Sequence, residues 1–158
     1  MAEQRFGLGF DVHPREIGRT LSLGGLVFEG EPGLAGHSDG DVVCHALADA
    51  LLGAAGSGDI GEHFPDTDPQ VAGIAGLDLL ARTVGMVREA GYESWSADVT
   101  VIAERPLVAP SREEMRRNLA AALGVAVERV SVKASRPEGL GLSGDGAACL
   151  ALAVLTTA

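Results

Sequence analysis

Residues 5–13 alternate, with Phe6, Leu8 and Phe10 on one face of an extended chain and Gly7, Gly9, Asp11 and His13 on the other, the period-two pattern of a strand. Residues 21–28 read as a second strand interrupted by Gly24-Gly25, with residues 15–20 as the turn between the two and 30–36 as a loop. The period then changes. Val42, Ala46, Leu47, Ala50 and Leu51 recur at helical spacing, and Ser38 with Asp41 three residues on reads as a capping box that starts a helix near Asp39, with Gly53 placed to end it. Leu77, Leu80, Val84 and Val87 predict another helix, closed by Gly91. Residues 95–103 alternate as a strand, stopped at Glu104-Arg105-Pro106 because proline cannot continue a central ladder. Ser111 with Glu114 reads as a further capping box, opening a helix through Met115, Leu119, Ala122 and Leu123 that Gly124 ends. Residues 127–134 predict a strand, 139–146 a glycine-rich loop, and 147–155 a nearly continuous apolar run, read as a strand buried on both faces. The order β-β-α-α-β-α-β-β predicts an α/β (α+β) sandwich, a mixed β-sheet with helices on one face, in a single domain spanning residues 1–158.

The polar positions within this pattern carry the chemistry. Asp11 and His13 are two apart on a strand, so both side chains point the same way. His45 lies one turn after Asp41 and one turn before Asp49 on a common helix face. Two imidazoles and one carboxylate are the donor set of a catalytic zinc site that keeps its fourth position open. Plainer readings exist for each: Asp-x-His also suits a strand-end turn, and a helical histidine beside Cys44 suits a core. The metal reading is favoured because three of the four histidines, His13, His37 and His45, fall in these two segments. His45 also lies one turn in from a helix N-terminus, whose free N–H groups favour anions. Residues 53–69 are rich in Gly, Asp and Pro, the stretch with the greatest freedom to move without a ligand.

Composition narrows the partners. A formal charge of −10 over 158 residues argues against nucleic acid and against an anionic membrane. An acidic chain that handles a polyphosphate needs local help, from a cation or from helix N-termini. No run approaches a membrane span and the N-terminus has no signal-peptide pattern, so a soluble, cytoplasmic protein is expected. Cys44 and Cys149 lack metal-pair spacing and are expected as buried thiols. The loop Gly141-Leu142-Ser143-Gly144-Asp145-Gly146 precedes a strand rather than opening a helix, so the spacing favours a tight turn over a dinucleotide fingerprint, and neither a Walker motif nor a Gly-x-Ser-x-Gly elbow occurs.

The segments Gly9-Phe10-Asp11-Val12-His13, Gly36-His37-Ser38-Asp39-Gly40-Asp41, residues 45–54, Gly58-Asp59-Ile60-Gly61 and Phe64-Pro65-Asp66-Thr67-Asp68 together resemble the 2-C-methyl-D-erythritol 2,4-cyclodiphosphate synthases of the non-mevalonate isoprenoid pathway. The match continues more loosely through residues 98–102, 132–134 and 138–141, so it covers essentially the whole chain. The resemblance implies a homotrimer with active sites between neighbouring subunits. It implies a substrate, 4-diphosphocytidyl-2-C-methyl-D-erythritol 2-phosphate, whose 2-phosphate attacks the β-phosphorus, closes a ring and expels CMP. By the same resemblance Asp11, His13 and His45 would hold Zn2+ or another divalent cation, and a second cation, Mg2+ or Mn2+, would bridge the diphosphate. His37 and Ser38 would steady the phosphate or erythritol, Asp59 and Gly61 the sugar-like part, and Asp66 and Asp68 would lie in a loop over it. The implied substrate-binding set adds Val12, Ile60, Phe64, Pro65 and Thr67 in the first half. In the second half it comprises Ala103, Glu104, Arg105, Pro106, Leu107, Ser135, Arg136, Glu138 and Leu142. His37 and Arg136 are the expected catalytic residues.

The second half departs from the family pattern. Leu107 stands where a lysine is usual, Ser135-Arg136-Pro137-Glu138 where Thr-Thr-Thr-Glu is usual, Asp145 where the glycine loop carries an arginine, and Ala75-Gly76 where Asp-Ser precedes the middle helix. In one reading Arg136 replaces the missing cation, because a guanidinium presents a bidentate fork to phosphate. In the other the metal centre persists but the clamp is damaged, leaving a weak or inactive trimeric relative that binds metal and a cytidine nucleotide or other phosphate ligand. A metal-dependent phosphohydrolase would use the same ligands. The first reading is the expected one, since every metal and loop residue of the first half is intact. The family's axial anion site is expected to be absent or weak.

Overall fold

The computed structural model describes residues 2–141 and 145–158. Five strands, β1 (Gln4–Leu23), β2 (Leu26–Leu34), β3 (Tyr92–Ile102), β4 (Val130–Ser135) and β5 (Gly146–Thr157), form one mixed sheet in the order β2-β1-β5-β3-β4. β3 and β4 are parallel and the other neighbours antiparallel. The helices α1 (Val42–Ala55), α2 (Ile60–His63), α3 (Gly76–Glu89) and α4 (Arg112–Leu123) complete the fold. Among the described residues no helix is long and apolar enough to cross a membrane.

β1 is longer than its alternation predicts. Its first half pairs with β5, from Gln4 opposite Thr156 to Pro14 opposite Gly146, and its second half runs on to pair with β2. Residues 15–20 are therefore strand rather than turn, and much of 30–36 is strand as well. The turn is Gly24-Gly25, with φ of 57° and 76°; two adjacent positive-φ residues match the twist of a two-residue hairpin, and glycine adopts them without strain.

The glycine face of β1 is the buried one. A Cβ at Gly7 would lie 1.8 Å from the carbonyl oxygen of Ala50, and one at Gly9 1.9 Å from that of Ala46. Helix α1 thus lies directly on the strand, with Ala46 and Ala50 against β1 and Leu47 and Leu51 fully buried in the core; each fully buried leucine contributes about 2 kcal/mol. The aromatic face points away from the helices, with Phe6, Leu8 and Phe10 exposed at 63%, 69% and 51%. β5 follows the same rule: Ala147, Cys149, Ala151 and Ala153 are buried, while Leu150 and Leu152 lie exposed on the outer face. The expectation that this run is buried on both faces is corrected, because helices cover only one side of the sheet. Both cysteines are buried, and burial raises both thiol pKa values.

Helix boundaries differ from the capping-box readings. The N-cap of α1 is Asp41, whose side chain accepts from the N–H groups of Val43 and Cys44, and the C-cap is Gly56 at φ 70°, so Gly53 lies inside the helix. Asp41 takes two further donors, Gly24 N at 2.9 Å and Gly25 N at 2.8 Å. A carboxylate with four N–H partners is a more effective cap than a serine hydroxyl. Ser111 makes no capping bond; a 3₁₀ turn over Ala109–Ser111 leads into α4 instead. A second 3₁₀ turn, Val127–Arg129, delays the start of β4.

Candidate metal centre

Strand β1 presents Asp11 and His13 toward the helix layer, and α1 presents His45 from the turn after its cap. The three meet at Asp11 Oδ2, which lies 2.8 Å from His13 Nε2 and 3.1 Å from His45 Nδ1. One donor atom from each residue falls within 4.8 Å of the others. His45 is buried, while Asp11 and His13 keep some exposure. Burial alone would raise the Asp11 carboxyl, but the hydrogen bonds and charges of the two histidines outweigh it and hold the group at about 2. Burial would likewise lower His45, yet its bond to Asp11 and the charges of Asp11, Asp41 and Asp39 raise it. Two imidazoles and an ionised carboxylate converging beside a cavity suit Zn2+ in type and number, with a side left open for a ligand.

The other ring nitrogen of His45, Nε2, lies 2.9 Å from Ser38 Oγ. A hydroxyl there accepts from or donates to the ring as the tautomer requires, and leaves Nδ1 directed at Asp11. Asp39 sits just beyond: it accepts from Gly76 N at 2.8 Å and Asp41 N at 3.0 Å, and burial together with Asp41 raises its pKa. Gly76 brings the start of α3 close to the α1 cap, since a Cβ there would come within 2.7 Å of the Asp41 side chain.

A cavity of about 150 Å³ opens above the metal floor, lined by Asp11, His13, His37, Ser38, His45, Ile60, Gly61, Phe64, Asp66, Val71, Ile74 and Leu79. The expected residues of the first half gather here with four exceptions besides Val12. Val12 points to the outer face of the sheet, as strand alternation requires. Asp59 caps α2 by accepting from Glu62 N at 3.0 Å, Asp68 accepts from Gln70 N at 2.9 Å, and Pro65 and Thr67 lie beside the cavity wall without forming it.

The expected residues of the second half form another place. Ala103, Glu104, Pro106, Leu107, Ser135 and Arg136 line a cavity of about 170 Å³ together with Val101, Val108, Ala109, Arg112 and Ala134. It shares no residue with the first. Arg105 turns aside to pair with Glu31 at 2.8 Å. Glu138 lines neither cavity and has a positive φ of 53°; Leu142 lies outside the described residues. The two expected catalytic residues, His37 and Arg136, thus belong to different cavities of one chain.

The sequence placed Asp41 and Asp49 on the face of His45 without the bonds they make, and it did not single out Arg19. Asp49 accepts from Ile60 N at 2.8 Å and anchors the start of α2; its place one turn beyond His45 was the available signal. Asp41 joins the α1 N-terminus to the Gly24-Gly25 turn. Arg19 grips the loop that carries His37 and Ser38, and nothing in its sequence surroundings marked it.

The profile of the YgbB family matches residues 4–158. The chain is 50% identical over 151 residues to the 2-C-methyl-D-erythritol 2,4-cyclodiphosphate synthase of Trichlorobacter lovleyi, covering 96% of both chains. Among solved structures it superposes on the bifunctional IspDF from Campylobacter jejuni with a TM-score of 0.94 at 40% identity, covering 100% of this chain and 43% of that one. It also superposes on a 2C-methyl-D-erythritol-2,4-cyclodiphosphate synthase in a CDP-bound form, with a TM-score of 0.88 at 36% identity and coverage of 96% and 99%.

Proposed function

Because the chain belongs to the YgbB family, we infer that it converts 4-diphosphocytidyl-2-C-methyl-D-erythritol 2-phosphate into 2-C-methyl-D-erythritol 2,4-cyclodiphosphate and CMP. It is then a phosphorus–oxygen lyase of non-mevalonate isoprenoid synthesis, in keeping with the activity its relatives carry in their names. The observation that carries the reading is the convergence of Asp11, His13 and His45 at the floor of a cavity walled by Ser38, Gly61, Phe64 and Asp66.

The reaction forms one P–O bond and breaks another. An oxygen of the 2-phosphate attacks the β-phosphorus, and the bond from that phosphorus to CMP breaks, so CMP departs as an anion. The nucleophile is already ionised, so no side chain has to remove a proton. The obstacle is repulsion between anions, and catalysis rests on positioning and on charge compensation. Asp11, His13 and His45 would hold Zn2+, and a second cation, Mg2+ or Mn2+, would accompany the diphosphate; bound there, the two supply Lewis-acid stabilisation of phosphoryl oxygens. His37 lies exposed at the cavity edge, placed to donate to a phosphate oxygen. Ile60, Gly61, Phe64 and Asp66, with Asp59 and residues 65–68, would close on the erythritol and keep water from the phosphorus.

The cytidine end is assigned to the second cavity, where Ala103, Glu104, Pro106 and Leu107 line the wall with Ser135 and Arg136; Arg105, Glu138 and Leu142 stay in the proposed binding set as sequence neighbours of these residues. Arg136, exposed there, presents its guanidinium fork to the diphosphate. Two cavities without a common residue, and an outer sheet face rich in exposed Phe6, Leu8, Phe10, Leu150 and Leu152, support a homotrimer in which one copy supplies the metal floor and its neighbour the cytidine cavity. We read it as a cytoplasmic enzyme of small molecules, with neither nucleic acid nor membrane as partner.

The test is phosphorus NMR of the purified protein with the cytidylylated substrate, Zn2+ and Mg2+, repeated with His45→Ala. The expected result is the cyclic diphosphate with an equal amount of CMP, both lost in the variant. Intact substrate in the presence of bound Zn2+ and cytidine nucleotide would make the chain a ligand-binding relative, and release of inorganic phosphate would make it a phosphohydrolase.

A further inference from the structure

Arg19, in the second half of β1, lines neither of the two cavities. Its guanidinium spans two backbone carbonyls on either side of His37: Nη1 donates to the oxygen of Gly36 at 2.6 Å and Nη2 to that of Ser38. Glu16, on the same strand, lies 3.5 Å from Nη1. Backbone bonds hold the strap as well, with Ala35 N donating to Pro14 O at 2.9 Å, Gly73 N to His37 O at 2.9 Å and Asp39 N to Ile74 O at 3.2 Å, while Asp39 Oδ2 accepts from Gly76 N and Ser38 Oγ from Gly40 N at 3.3 Å. The carbonyls of Gly36 and Ser38 are the ones satisfied by a side chain. Ser38 has a single side-chain torsion to place its hydroxyl, so the position of its backbone decides whether Oγ meets His45 Nε2.

We propose that Arg19 is a positioning residue for the metal ligand His45, acting through Ser38. The guanidinium fixes the strap, the strap fixes Ser38 Oγ, and the hydroxyl holds Nε2 so that Nδ1 faces Asp11 and the cation. Only a planar fork spans two carbonyls in this way; a lysine ammonium is a point charge without that geometry. The proposal rests on the reading of Asp11, His13 and His45 as metal ligands. Partners of metal-bound histidines typically change metal affinity by about 10–100-fold when removed, and one acting at a remove falls at the lower end.

The experiment measures the Zn2+ dissociation constant by competition with a chromophoric chelator, for wild type, Arg19→Met, Ser38→Ala and the double variant, with urea unfolding of each metal-free chain alongside. Each single change is expected to weaken Zn2+ by about tenfold, and the double by little more than either alone, not by the product of about a hundredfold. If Arg19→Met does not fold, Arg19→Lys keeps the charge and the stem while losing the fork, and the same non-additivity is expected. A folded Arg19 variant with unchanged Zn2+ affinity overturns the proposal, and so do effects that multiply; loss of stability without loss of affinity would make Arg19 merely structural. Turnover is not the readout, so these outcomes are independent of the reaction. Zn2+ affinity left unchanged by His45→Ala would overturn the metal reading itself, and this proposal with it.

Discussion

The metal floor and the second cavity rest on the same sheet but are held in different ways. His45 and Ser38 are buried and joined side chain to side chain, Asp41 and Asp39 behind them satisfy backbone donors of three separate segments, and Asp49 ties down the start of α2. Around the second cavity Leu107 and Arg136 are exposed, and Arg105 is spent on a surface pair with Glu31, which solvent screens. The buried hydrogen-bonded network braces three donors of one chain, Asp11, His13 and His45, whose ligand atoms lie within 4.8 Å of one another. An exposed rim is shaped for whatever lies against it. Of the departures from the family pattern, Leu107 and Ser135-Arg136 fall on this rim, where a changed side chain alters a contact without disturbing the frame, whereas Ala75-Gly76 lies at the start of α3 beside Asp39 and Asp41.

The sharpest way to break this contrast is to place the two halves on different chains. His45→Ala and Arg136→Glu trimers should each be nearly inactive. Chains of the two kinds, unfolded together and refolded as a mixture, should recover about a quarter of wild-type activity per site, because a head-to-tail interface then pairs an intact floor with an intact rim one time in four. A site contained within one chain would recover nothing, since every chain carries one defect, and the shared-site reading would fail.

A smaller effect sharpens the rim. Arg136→Ala should lower kcat/KM by about 30-fold, equivalent to about 2 kcal/mol for a lost charge-assisted contact to phosphate, with Zn2+ affinity unchanged within about twofold and partial recovery in Arg136→Lys. Steady-state kinetics with a chelator competition measures both. A threefold loss or less would mean that Arg136 does not carry the clamp.

The smallest effect probes the floor through pH. In the metal-free chain Asp11 is held at about 2 against an ordinary 3.8, so its contribution to stability is present above 3.8 and fades as pH falls through about 2. His45 is raised from 6.5, so its contribution is full below 6.5 and fades as pH rises through the raised value. Asp39 and Asp49, whose pKa values are raised chiefly by burial, pull the acid limb the other way. The informative quantity is therefore the difference between wild type and Asp11→Asn, from urea unfolding in chelator. It should be widest between 3.8 and 6.5, at about 2 kcal/mol, and narrow on both sides. A difference independent of pH would show that Asp11 and His45 are not coupled.

The alternation of residues 5–13 and the helical spacing around His45 placed Asp11 and His13 on one strand face and His45 on the facing helix, which is most of the metal centre. These features rest on the local geometry of strand and helix, two residues and 3.6 residues per repeat, and a sequence displays them directly. The mixed sheet followed from the order of such segments. Which face of β1 turns inward was not local: the glycines face in because α1 lies so close that a Cβ would collide with Ala46 and Ala50, and that approach exists only in the folded chain. The same holds for Asp41 and for Arg19. Asp41 outcompetes Ser38 as cap because the Gly24-Gly25 turn comes back to share it, and Arg19 matters because β1 continues past His13 to meet residues 36–38. The spacing of residues along a chain determines which side chains share an element; contact between elements determines which of them are buried, paired and held still, and here that decided how the metal floor is braced.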